Sequence, residues 1–215
     1  MALEVYDEHE QSERVVQWLR ENAAAIIGGI VLGLLLIFGL NQWRTHQAKH
    51  RAEAAALYQQ LAHAELTKDQ AGIDSLTAQL QDKYKDSTFA VFSAFAAAQR
   101  ALADGKPDQA ITALNWAAAH AKDDALKSLS TLRIASAQLA AGQADACIAT
   151  LDKLPAGDYT GMALELRGDA LVALKRDADA RRAYTDALAA YDPDARQRPL
   201  LQLKLDNIAV AEQGA

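Results

Sequence analysis

The chain has 215 residues, 22 Lys and Arg against 28 Asp and Glu, a net charge of −6 and a pI near 5.3. That balance lacks the basic footprint of a nucleic-acid-binding surface. A single cysteine, Cys147, excludes an intrachain disulfide and a paired-thiol site.

Residues 1–21 carry six carboxylates and only Arg14 and Arg20. Val15, Val16, Trp18 and Leu19 gather between those charges. Two readings stand for this acidic segment: a short helix that docks a cytosolic partner, or a solvated helix entering a membrane.

An uncharged run extends from Asn22 to Trp43, between Glu21 and Arg44. As a helix it covers about 33 Å, enough for a hydrocarbon core of about 30 Å. A secretory signal would be positive ahead of a shorter apolar part and would end in small residues. The sequence "NQWRTHQ" that follows has no such site, and Trp43 and Arg44 suit an interfacial anchor. Residues 22–43 therefore read as one uncleaved transmembrane helix. Gly29 and Gly33 form a GxxxG pair within it. Such a pair permits close approach of a second membrane helix, including self-association, although glycine is common in membrane helices in any case. Flanking charge does not orient the span: Arg14 and Arg20 face Arg44, Lys49 and Arg51.

About 172 residues follow, one domain's worth. They are rich in helix formers and lack alternating apolar patterns. Breaks at "TKDQAG", "YKDST", "ADGKPDQ", "HAKDD", "AAGQADA", "LPAGDY", "KRDADA" and "YDPDARQRP" hold the Gly, Pro and Asp that stop or cap helices. The fold class expected is all-α: a single N-terminal transmembrane helix, then a tetratricopeptide-like helical-repeat solenoid over 44–215. A looser helical hairpin at 46–84 leads in, with Leu57, Leu61, Leu76, Leu80 and Tyr84 as its stripe. Repeats are expected at about 91–124, 128–161 and 161–194, and a capping helix at 199–212.

The repeat rests on "GKPDQAITALNWAAA", "GQADACIATLDKLPA" and "KRDADARRAYTDALA". Ala110, Cys147 and Ala180 open the second helices at spacings of 37 and 33 residues. Leu114, Leu151 and Tyr184 follow, then Ala117, Leu154 and Ala187. The pattern resembles the tetratricopeptide period of 34 residues. Gly168 and Ala180 allow close helix packing, with Tyr184 filling the gap beside them. Cys147 occupies the same kind of position, which marks it as structural rather than reactive.

"LEVYDEHEQSERVVQWLRENAAAI", the glycine-bearing span, Trp43, His46 and Gln47, the repeats and the closing "QLKLDNIA" resemble the YfgM family, ancillary subunits of the bacterial SecYEG translocon. The resemblance implies a cytoplasmic N-terminus, a periplasmic repeat domain and an inner-membrane location. It also implies association with the translocon and with a membrane-anchored periplasmic chaperone of the prolyl-isomerase class.

No catalytic motif appears, and no cofactor is expected. His46, His50 and Glu53 share a helix face by spacing, but so placed beside the span they suit the membrane interface better than a metal. Arg181, Arg182, Arg196 and Arg198 read as a solvated face. The first helix of each repeat should line a concave groove. By register this puts Phe92, Phe95, Gln99 and Leu102 there, then Leu129, Leu132, Ser136 and Leu139, then Met162, Glu165, Asp169 and Val172. None of the twelve is Lys, Arg or Asn, which argues against a clamp for a peptide carboxylate. The surface reads apolar at one end and acidic at the other, suited to hydrophobic segments of unfolded or partner chains. Two readings remain: an open groove anchored by Phe92 and Phe95, or one filled by the 46–84 hairpin or the terminal helix. The function expected is non-catalytic protein binding at the translocon. The alternatives are a structural scaffold of another envelope complex and an enzyme subunit or metal protein using His46 and His50.

Overall fold

The computed structural model describes residues 4–157 and 159–213, with side chains within 12–157 and 159–208. Among the described residues there are helices and turns and no strand. In chain order the helices are α1 (Glu4–Thr67), α2 (Gln70–Lys83), α3 (Thr88–Ala103), α4 (Pro107–His120), α5 (Asp124–Ala140), α6 (Ala144–Leu151), α7 (Thr160–Ala173), α8 (Asp177–Ala190) and α9 (Arg198–Gln213). The chain divides into two units, 1–52 and 53–215.

The first unit is the long N-terminal part of α1. Its large apolar side chains are open to the surroundings: Leu35, Ile37 and Phe38 are 63–71% exposed. It is long and apolar enough to cross a membrane. A Cβ at Gly29 or Gly33 would meet nothing within 4 Å, so no part of the described chain occupies that face.

The second unit is built from helical hairpins that close in one way. A left-handed residue ends the first helix of each: Lys68 at φ 57°, Gly105 at 70°, Gly142 at 75° and Lys175 at 59°. The next N–H reaches back five residues along the chain. Asp69, Lys106, Gln143 and Arg176 donate to the carbonyls of Ala64, Ala101, Gln138 and Leu171 at 2.8–2.9 Å. This is the Schellman closure, which satisfies carbonyls the helix end leaves bare. The last turns of α1 with α2 thus form a hairpin of the same kind as α3–α4, α5–α6 and α7–α8. Between hairpins, Ser87 and Asp123 accept from the N–H groups of Ala90 and Leu126, capping α3 and α5.

Packing follows the small residues. Ala110, Cys147 and Ala180 are fully buried, and so are Ala117 and Ala187. Leu114, Leu151 and Tyr184 fill the spaces between helices. At Gly168 even a Cβ would lie 2.2 Å from the Tyr184 ring. Burial, and secondarily Asp169, pushes the Cys147 thiol up to about 11, against a smaller opposing effect of Arg167, which keeps it protonated and inert at neutral pH. Helix α9 closes the array, with Leu201 and Ile208 against α8.

Two of the late arginines depart from a solvated face. Arg198 is half-buried and donates to the carbonyls of Leu188 and Tyr191, completing the end of α8. Arg181 is half-buried as well, while Arg182 stays 81% exposed.

Candidate partner-binding groove

Helices α3, α5 and α7 are the first helices of successive hairpins, and α5 touches α7 directly. Two hollows open along them. One of about 190 Å³ lies between α3 and α5, lined by Phe95, Gln99 and Leu102. The other, of about 350 Å³, lies between α5 and α7 and is lined by Leu129, Leu132, Met162, Glu165 and Asp169. Arg133 and Ser136 line both, so the hollows adjoin.

Nine of the twelve register positions come together in this way. Phe92, Leu139 and Val172 line neither hollow. Leu139 packs into the cluster around Leu132 and Cys147. Phe92 is half-buried, 6.2 Å from the ring of Tyr58 on α1 and 6.3 Å from that of Phe95. Phe95 is only 6% exposed and belongs to the core formed with Val91, Leu114 and Ile134. The two phenylalanines therefore have packing reasons to be where they are, and they do not form an exposed aromatic anchor. Here the last turns of α1 pack against Phe92, while the α3–α5 hollow stays open beside Phe95. Leu132, 5% exposed, is likewise floor rather than rim. The open apolar surface lies further along, where Met162 is 43% exposed above the α5–α7 hollow.

The acidic end is already partnered. Lys204 of α9 donates to Glu165 at 2.9 Å and to both oxygens of Asp169 at 2.8 Å. Tyr184 donates to Asp169 at 2.7 Å and Tyr191 to Glu165 at 2.9 Å. Burial, followed by these hydrogen bonds to carboxylates, raises both phenols above their ordinary range. Burial opposes the charge on Lys204, but Asp169 and Glu165 more than offset it and raise its pKa. The acid pair thus ties the capping helix to α7.

Arg133 escapes the sequence register. It sits four residues after Leu129 and three before Ser136, on the same helix face. Its guanidinium lies 4.6 Å from the centre of the Phe95 ring. The groove as folded therefore does contain a cation, contrary to the count over twelve positions. The one-residue offset between core Leu132 and exposed Arg133 is the signal that could have found it.

Elsewhere, His120 stacks on Trp116 with centroids 4.0 Å apart and its Nδ1 2.8 Å from the Trp116 carbonyl, a structural place. Among the described residues no three His, Cys, Asp or Glu side chains gather as metal ligands. A wider hollow of about 620 Å³ beside α3 is lined by charged groups, including the Glu65–Arg100 ion pair.

Hairpins with a shared turn, small residues at their closest approach and a groove on the first helices are one architecture repeated. A family model for a tetratricopeptide repeat-like domain matches residues 16–210. The chain belongs to the tetratricopeptide repeat-like family. Within it, the chain is 27% identical over 212 residues to the ancillary SecYEG translocon subunit of Escherichia coli strain K12, covering 97% of this chain and 100% of that one. It is 27% identical over 202 residues to the protein of that name from Haemophilus influenzae, covering 94% and 98%. A third such relative, from Neisseria gonorrhoeae, is 27% identical over 180 residues and covers 83% and 86%. The resemblance read from the N-terminal stretch and the repeats therefore holds. No solved structure matches this repeat-family chain.

Proposed function

We propose that this protein is a non-catalytic ancillary subunit of the Sec translocon. The apolar run 22–43 of α1 anchors it in the bacterial inner membrane, with residues 1–21 cytoplasmic and the domain 44–215 periplasmic. It holds segments of secreted or membrane proteins in the groove and works beside a membrane-anchored periplasmic chaperone of the prolyl-isomerase class. The observation that carries this reading is the adjoining pair of apolar-floored hollows along α3, α5 and α7, with Met162 at the surface. A site of that shape suits apolar side chains of another polypeptide. The name borne by the full-length relatives supports the translocon as its setting.

The test is photocrosslinking in native membranes from probes at Ser136 and Met162, with Arg182 as an exposed control. Translocon subunits, the chaperone or exported chains should appear at the two groove positions and not at the control. Met162→Glu should abolish the crosslinks from Ser136 while the domain melts normally, because the Met162 side chain is already open to water. Phe95→Glu should instead unfold the domain, since it places a charge in the core. Crosslinks only to components of another envelope assembly would favour the scaffold. None at all would move the binding site to residues 12–20.

A further inference from the structure

The charge of the groove differs from what its lining suggests. Glu165 and Asp169 make it look acidic, which would favour basic ligands. Yet Lys204, Tyr184 and Tyr191 already direct hydrogen bonds at those carboxylates. Arg133 is in the opposite situation. It is exposed, it is the one basic side chain lining either hollow, and among the described residues no carboxylate lies within ion-pair range of it. Its contact is with the Phe95 ring, 4.6 Å away, which steadies the guanidinium through its face. The N–H donors on its edge bond to nothing in the described chain and retain the fork geometry that fits a carboxylate.

We propose that Arg133 is the anion-recognising group of the groove. Segments taken up there carry an Asp or Glu side chain beside an apolar residue that enters the α5–α7 hollow. This rests on the groove being a protein-binding site and adds the chemistry of the partner. An acidic protein thereby selects acidic-apolar segments, because its own carboxylates in the groove are spent on the capping helix.

The experiment uses the purified full chain in detergent on an array of short, unrelated peptides, with Arg133→Glu alongside and circular-dichroism melting as a check on folding. Peptides held by the wild type should be enriched in apolar residues with Asp or Glu close by. Replacing that acid by its amide in a bound peptide should weaken binding roughly tenfold, the scale of one charge-assisted hydrogen bond. Arg133→Glu should erase this difference and shift the preference towards Lys. If that variant melts abnormally, Arg133→Gln, which keeps the stem, should still erase it. Binding with no acidic preference, or a preference that survives both variants, overturns the proposal and leaves an apolar groove standing. A wild-type preference for Lys or Arg would also overturn it and assign recognition to Glu165 and Asp169. Failure of every peptide to bind would remove the groove reading itself.

Discussion

The absence of one methyl at Gly168 sets the spacing of the α7–α8 hairpin. In an exposed helix interior, Gly→Ala is ordinarily worth up to about 1 kcal/mol in the helix's favour. Here the added Cβ would fall 2.2 Å from the Tyr184 ring. That ring is fully packed and tied through its hydroxyl to Asp169, so it cannot swing aside cheaply. Overpacking of this kind costs about 1–3 kcal/mol, so the clash should outweigh propensity. Gly168→Ala is therefore expected to lower stability by about 1–2 kcal/mol in urea melts. The loss should shrink in a Tyr184→Leu background; an unchanged midpoint would mean the helices separate freely there.

Among the elements, the turns matter as much as the helices. Two of the four left-handed turn residues are glycine, which adopts that conformation without penalty, and two are lysine, which does not. Lys175→Gly should accordingly raise stability by about 0.5–1 kcal/mol, read as a higher denaturant midpoint at unchanged slope. A drop would show that the Lys175 side chain, not the backbone, holds the turn. Lysine at Lys68 also explains what the sequence concealed. "ADGKPDQ" and "AAGQADA" announce their turns through Gly105 and Gly142, whereas "TKDQAG" has its glycine four residues late, so the first hairpin reads as looser than it is. The small-residue ladder of Ala110, Cys147 and Ala180 was legible because close helix contact admits few residue types. The groove was only partly legible. Repeat register places a helix face but not its neighbours, so it could not see Tyr58 covering Phe92 or Lys204 neutralising Asp169, both contacts between residues at least 34 apart.

For the whole molecule, orientation in the membrane sets the compartment in which the groove works. The flanking arginines balance, and a domain the size of residues 44–215 can translocate regardless of local charge. If the domain is periplasmic, as proposed, a reporter active only in the periplasm should work when fused after Ala215 and fail at the N-terminus. The reverse pattern would place the groove in the cytoplasm and overturn both client and chaperone.

Among the described residues, alanine fills more than half of the buried apolar positions of the repeat domain, from Ala54 through Ala187. Each brings its helix close to a neighbour while removing little hydrocarbon from water. Unfolding such an interior exposes less apolar surface per residue than a leucine-rich one, and the heat-capacity increment falls with it. The stability of this domain should therefore follow a shallow curve against temperature, with hydration contributing less of its curvature than in a domain of equal length built on large side chains. A protein so constituted loses little hold on its fold as its surroundings cool or warm.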